Sequence, residues 1–143
     1  MTEQRLMIVG LGIVLGMIFF HRTGYSPGGV ITPGLLALEL TSPERVAWVF
    51  LFAWVASLAL ELAVRAVGLY GRQRIGAALL VALTVRIAAG CFLPVEDLWI
   101  GWVVPGLVGA DMQRQGALPT VGATLATAIA AAMAGRLLAG VPI

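Results

Sequence analysis

Long apolar runs alternate with short polar connections along the whole chain. Four of these runs contain no Pro-Gly pair, and they extend from Leu6 to Phe20, Val46 to Gly68, Ile75 to Leu93 and Leu118 to Leu138. Each is close to the roughly 20 residues that an α-helix needs to cross a hydrocarbon layer of about 30 Å. The pattern therefore predicts an all-α, multi-pass membrane protein with four transmembrane helices in a single membrane domain over residues 1–143.

Two further apolar segments are interrupted, one from Ser26 to Leu40 and one from Leu98 to Ala110. Each contains a Pro-Gly pair near its middle, at Pro33-Gly34 and at Pro105-Gly106. Proline cannot donate a backbone hydrogen bond and glycine relaxes the backbone, so both segments are predicted to be broken helices. In hydrocarbon the freed backbone groups need protein partners, which places these segments inside the bundle. They either cross the membrane or re-enter on one side.

The two broken segments also resemble each other. A shift of 72 positions aligns Gly29, Pro33, Gly34 and Leu35 with Gly101, Pro105, Gly106 and Leu107. The same shift aligns Glu39 with Asp111. We therefore predict a two-fold internal repeat with halves at about residues 1–70 and 71–143. Each half consists of a helix, a broken segment and a second helix. In membrane proteins that handle solutes, such repeats place the binding site at the broken segments.

Composition narrows the function classes. Hydrophobic residues make up 60% of the chain and charged residues 11%, against about 45–50% and about 25% in soluble domains. This excludes a water-soluble enzyme. The nine basic residues are all arginine and are scattered along the chain, so no nucleic-acid partner is expected. With one cysteine and one histidine, we expect neither a metal site nor a catalytic triad.

Several arginines lie where they could contact a partner. Arg22, Arg72, Arg74 and Arg114 all occupy short connections beside predicted helices. They either anchor helix ends at the membrane interface or contact an anion, since a guanidinium group binds carboxylates through two parallel hydrogen bonds.

Arg86 is placed differently, near the middle of the third predicted span. A charge at the bilayer centre costs at least about 2.5 kcal/mol. Arg86 is therefore predicted to face the interior of the bundle and to form a buried ion pair with Glu39 or Asp111.

Three motifs, taken in order and spacing, resemble the PgsC/CapC family, the small membrane subunit of bacterial poly-γ-glutamate synthases. They are Arg22-Thr23-Gly24 with Pro27 to Leu38 after it, Leu69-Tyr70-Gly71-Arg72, and Val104-Pro105-Gly106-Leu107 followed by Gln113-Arg114-Gln115-Gly116. The resemblance extends from the first helix through Gly122. One departure is His21, which stands where we would expect an acidic residue.

The resemblance implies a non-catalytic subunit in the bacterial cytoplasmic (inner) membrane. A separate amide ligase, related to the Mur ligases and using ATP and Mg²⁺, would join glutamates through γ-amide bonds. This chain, which carries no cofactor of its own, would anchor the ligase beside other synthase membrane subunits and assist export of poly-γ-glutamate. Four spans and two broken segments leave little room for a pore within one chain, so homo-oligomers are expected. The implied contact residues for partner or polymer are Arg22, Thr23, Gly24, Arg72, Arg74, Gln113, Arg114 and Gln115.

Two alternatives stay open. The chain could instead be a stand-alone small transporter or channel built as an oligomer. The topology also has two solutions, because re-entrant broken segments leave four crossings and crossing segments give six. We favour six, since that arrangement places Arg-Thr-Gly, Tyr-Gly-Arg-Gln-Arg and Gln-Arg-Gln-Gly on one face, with the N-terminus outside.

Overall fold

The computed structural model describes residues 3–68, 70–90 and 103–140, and these residues fold as helices joined by short connections. In chain order the helices are α1 (Glu3–Thr23), α2 (Thr32–Glu39), α3 (Pro43–Val67), α4 (Arg72–Gly90), α5 (Val103–Gln115) and α6 (Ala117–Leu138). The all-α prediction is confirmed over this part of the chain.

Three of these helices, α1, α3 and α6, are long and apolar enough to cross a membrane. They coincide with the first, second and fourth predicted spans. The third predicted span corresponds to α4 but runs to Leu93, outside the described residues. A membrane crossing by this third span therefore stays a prediction.

The end of α3 shows how sequence sets a helix boundary. Gly68 has a φ of 71° and lies in the left-handed region, and its N–H donates to the Val64 carbonyl over 2.9 Å. A left-handed residue closes a helix at low cost only when it lacks a Cβ atom. The second span therefore ends where the sequence places its last residue.

Both Pro-Gly pairs lie in the first turn of a helix. Pro33 is in the first turn of α2, and Pro105 is the third residue of α5. The first-turn N–H groups of a helix have no acceptor within it, so proline is well tolerated there. In the first segment, irregular backbone over residues 24–31 precedes α2, so that segment is part irregular and part helical, whereas α5 is continuous over its described residues. The start of the second segment lies outside the described residues.

The glycines of these pairs allow close helix crossings. A Cβ atom on Gly34 would lie 2.7 Å from the Cα and carbonyl oxygen of Val9, and one on Gly12 would overlap the backbone of Gly34. Helices α1 and α2 therefore touch backbone to backbone. In the second half, a Cβ atom on Gly106 would lie 3.0 Å from Cδ2 of Leu79, so α5 also packs closely on the helix that precedes it, α4.

The third helix of each predicted half packs mainly on helices of the other half. Helix α3 contacts α5 most extensively and also packs on α4, whereas α6 packs on α1 and α2. One apolar cluster joins α3 and α5 through Val49, Ala53, Val104, Val108 and Met112. Each half thus covers the third helix of the other half.

The backbone contact between α1 and α2 predicts unequal effects for two glycine substitutions in the same helix. Gly12→Ala should lower the free energy of unfolding by about 1–3 kcal/mol, because the new methyl group overlaps Gly34. Gly10→Ala has nothing within 4 Å of its Cβ position and is the matched control. It should raise stability by up to about 1 kcal/mol through helix propensity. Thermal unfolding in detergent measures both, and equal unfolding temperatures for the two variants would contradict the close crossing.

Candidate functional site

The candidate site lies at one end of the helical bundle, where the three sequence motifs meet around Arg114. Arg114 lines two of the cavities there. One, of about 210 Å³, includes Gly16, Phe20 and Ser26 from the end of α1 and the loop after it. The other, of about 320 Å³, includes Arg72 and Arg74 at the start of α4.

Gln115 ties the loop after α1 to the junction of α5 and α6. The Ser26 backbone N–H donates to Gln115 Oε1 over 3.0 Å, and Gln115 Nε2 donates to the Ser26 carbonyl over 2.6 Å. The same Nε2 atom donates to the Thr120 hydroxyl oxygen over 3.0 Å. A primary amide offers both an acceptor and two donors, so one side chain satisfies both backbone groups of Ser26. The Arg-Thr-Gly and Gln-Arg-Gln-Gly motifs are thereby held together.

A glycine in the same loop lets the chain pass close to α5. Gly28 has a φ of 79°, and a Cβ atom there would lie 2.7 Å from Cγ2 of Val108. Two separate restrictions therefore apply at this position, the left-handed backbone and the lack of space. The buried hydroxyl of Thr32 donates to the Gly28 carbonyl and fixes the loop where it enters α2.

The larger cavity, here called the arginine cavity, is lined by four charged residues, Arg72, Arg74, Asp111 and Arg114, with Ile75 and Ala110 among the apolar ones. Three positive charges and one negative charge give it a net charge of +2. Arg74 Nη2 donates to the Ala110 carbonyl over 2.9 Å, and Arg114 Nη2 lies 3.4 Å from Asp111 Oδ1. The cavity is therefore cationic, with one carboxylate in its wall.

Burial and a neighbouring positive charge both act on Arg74. Burial lowers the pKa of its guanidinium group, the like charge of Arg114 lowers this pKa further, and Asp111 opposes both effects. Because the ordinary pKa of arginine lies far above neutrality, Arg74 stays charged at pH 7. An anion in the cavity would relieve the repulsion between the two guanidinium groups.

Some predicted contact residues lie apart from the arginine cavity. Arg22 lines a separate cavity with Met17, Phe20 and His21. Thr23 is bound locally, since its hydroxyl donates to the Phe19 carbonyl over 2.7 Å. Gly24 follows at an exposed position with a φ of 77°. The motif thus shares the end of the bundle without lining the cavity.

The predicted partners of Arg86 are engaged elsewhere. Glu39 binds Arg45 over 2.9 Å, and Asp111 binds Arg114. Asp111 lies inside α5 and lines the cavity with Arg74, whereas Arg86 is about 18 Å further along α4 at 1.5 Å per residue. The predicted ion pair between Arg86 and one of these carboxylates stays a prediction.

Two features of the site were not predicted from the sequence. The first is the pair of hydrogen bonds between Gln115 and Ser26, which are 89 positions apart. The second is the burial of the Oε1 atom of Gln113, a predicted contact residue, without a hydrogen-bond partner among the described residues. The only available signal was the Gln-Arg-Gln-Gly motif itself, which does not indicate what either amide binds.

The Gln115 contacts predict a specific loss of stability. Gln115→Ala should lower the free energy of unfolding by about 1–3 kcal/mol, because backbone groups of half-buried Ser26 lose their partners. Gln73→Ala, at an exposed position of α4, is the matched control and should change stability by less than about 0.5 kcal/mol. Thermal unfolding in detergent, with limited proteolysis of residues 24–31, tests this. A loop cleaved no faster in Gln115→Ala than in the control would contradict the proposed anchoring.

Comparison with known proteins identifies a family. The family described as capsule biosynthesis CapC matches residues 11–121, a range that includes all four charged residues of the arginine cavity. The chain is 32% identical over 122 residues to the PGA biosynthesis protein CapC of Bacillus subtilis (strain 168). It is 34% identical over 122 residues to the capsule biosynthesis protein CapC of Bacillus anthracis. Each alignment covers 80% of this chain and 82% of the relative. No solved structure matches the chain.

Proposed function

Because the chain belongs to the capsule biosynthesis CapC family, we propose that it is a non-catalytic membrane subunit of a poly-γ-glutamate synthase and export complex. The observation that carries the proposal is the meeting of three arginine-bearing motifs at one end of an apolar helical bundle. A polymer with one carboxylate per residue suits a surface lined by guanidinium groups.

The proposed division of labour assigns the chemistry to a partner. An amide ligase related to the Mur ligases, with ATP and Mg²⁺, would activate the glutamate carboxylate and form the γ-amide bond. This chain would anchor the ligase in the inner membrane beside other synthase membrane subunits and help the polymer to leave. The arginine cavity and the Gln115 junction would form the face that meets ligase and polymer.

The proposed topology has six crossings with the N-terminus outside. In a re-entrant arrangement the start of α4 would lie on the opposite side of the membrane from the ends of α1 and α5. The bonds between Gln115 and Ser26 and the cavity shared by Arg72 and Arg114 support a common end for all three.

We propose further that the chain is a duplicated unit that folds as one membrane domain and assembles into homo-oligomers. The packing of α1 on α2 corresponds to that of α4 on α5, and the packing of α3 on α5 corresponds to that of α6 on α2. The close crossings at Gly34 and Gly106 occupy equivalent positions. Apolar side chains exposed on the outer faces of the helices are available to lipid or to further copies.

A test of the functional proposal uses charge removal at the cationic end. Arg72→Gln combined with Arg114→Gln should reduce both polymer output and co-purified ligase by about tenfold or more, because hydrogen bonds to charged groups contribute about 1.5–3 kcal/mol each. Arg136→Gln, in the last turn of α6 at the other end, is the control and should leave both unchanged. Undiminished ligase recovery and polymer output would contradict the docking face, and a chain that purifies without any ligase would favour a stand-alone transporter.

The topology has its own test. In a Cys91→Ser background, single cysteines at Thr23, Gln73 and Leu118 should react with an impermeant thiol reagent only after the cells are opened. A cysteine at Thr41, in the turn between α2 and α3, should react in intact cells and serves as the control. Labelling of Thr23→Cys from outside with Gln73→Cys protected would show re-entrant segments instead.

A further inference from the structure

We infer that the arginine cavity binds one α-amino or α-amido acid unit, a carbon that carries both a carboxylate and an N–H donor. The inference rests on the proposed function and deepens it by naming the chemical group that the cationic end recognises. It is built from four side chains on two helices, Arg72 and Arg74 of α4 with Asp111 and Arg114 of α5.

The arginines supply the carboxylate-binding half of the site. Arg74 uses one terminal nitrogen on the Ala110 carbonyl, while its Nε atom is buried without a partner among the described residues. Arg72 is exposed beside it, and the side chain of Arg114 is 52% exposed. Donors on two helices therefore remain available beside a cavity with a net charge of +2. A planar carboxylate is the group that such donors bind best.

Asp111 supplies the other half. Its Oδ1 atom pairs with Arg114, and its Oδ2 atom is buried without a hydrogen-bond partner among the described residues. A carboxylate in the wall would weaken the binding of a simple anion, because like charges repel. An acceptor and donors without partners lie side by side here. They favour a ligand that carries both a hydrogen-bond donor and an acceptor. An N–H donor next to a carboxylate meets that requirement.

The size of the cavity limits the ligand to a single unit. Its volume of about 320 Å³ is at the lower end of the roughly 300–1,000 Å³ typical of small-molecule sites. Free glutamate carries an ammonium group and a carboxylate on one carbon, and each residue of poly-γ-glutamate carries an amide N–H and a carboxylate on one carbon. The two sources share the chemistry that the cavity recognises, and the experiment below separates them.

The test compares carboxylate ligands that carry an N–H donor with carboxylate ligands that lack one. Binding to the full-length chain, purified in detergent, is measured by calorimetry for both enantiomers of glutamate against glutarate, and for poly-γ-glutamate against polyacrylate. Glutarate and polyacrylate keep the carboxylates but lack the N–H group. The nitrogen-bearing ligand of at least one pair should bind about tenfold more tightly. A preference in the first pair identifies the free amino acid as the ligand, and a preference in the second identifies the polymer.

Two variants separate the halves of the site. Asp111→Asn should abolish the preference while leaving glutarate or polyacrylate bound at least as tightly, because a repelling charge is removed. Arg74→Gln should weaken every ligand by about tenfold, and Arg136→Gln should weaken none. The preference is a ratio measured on one preparation, so partial misfolding cannot imitate its loss. Asp111→Glu, which keeps the carboxylate, should retain the preference for the nitrogen-bearing ligand.

The result that overturns the inference is equal binding within both ligand pairs by the unaltered chain, or a preference that survives in Asp111→Asn. Because the assay contains no ligase, its outcome is independent of the synthase proposal. A chain that shows the preference, but whose removal from cells leaves polymer output intact, contradicts the proposed function alone. A chain that cells need for polymer output, but that shows no preference, contradicts this inference alone.

Discussion

The contact on which the rest of this structure depends is the backbone approach between α1 and α2. Gly12 and Gly34 bring no side chain of their own into that crossing, and Pro33 can lie beside it because the first turn of α2 needs no donor there. A short helix that would be unstable alone is thereby fixed against a long one. The direction of α2 then determines where the loop of residues 24–31 must run.

That loop determines the geometry of the candidate site. It passes over Val108 at Gly28 and is held at Ser26 by Gln115, so the end of α5 cannot move independently of the end of α1. Arg114, the neighbour of Gln115, is consequently held beside the start of α4. Positions of charged groups in the cavity thus follow from polar bonds and glycine contacts elsewhere in the bundle. Such support is what keeps a binding site at a fixed geometry.

Sequence patterns predicted the fold class, the apolar helices and the glycine end of α3, because hydropathy and local backbone preference act over neighbouring residues. The exact place of Pro33 was left open by the sequence, since the same proline is compatible with a break or with a first turn. The bonds between Gln115 and Ser26 could not be predicted, because they depend on how distant segments meet. The predicted ion pair of Arg86 depends on the same kind of contact between distant segments, and it stays a prediction.

The exchange of third helices between the two halves has a consequence for biogenesis. In the proposed topology, helix α3 enters the membrane while the ribosome has yet to make α5, the helix on which it packs most extensively. Until then the surface around Ala53, against which Gly109 of α5 later packs, must be covered by lipid or by an insertion factor. The native bundle therefore closes after synthesis is almost complete, and a chain cut short between its halves would present an unfilled helix face to the quality-control proteases of the membrane.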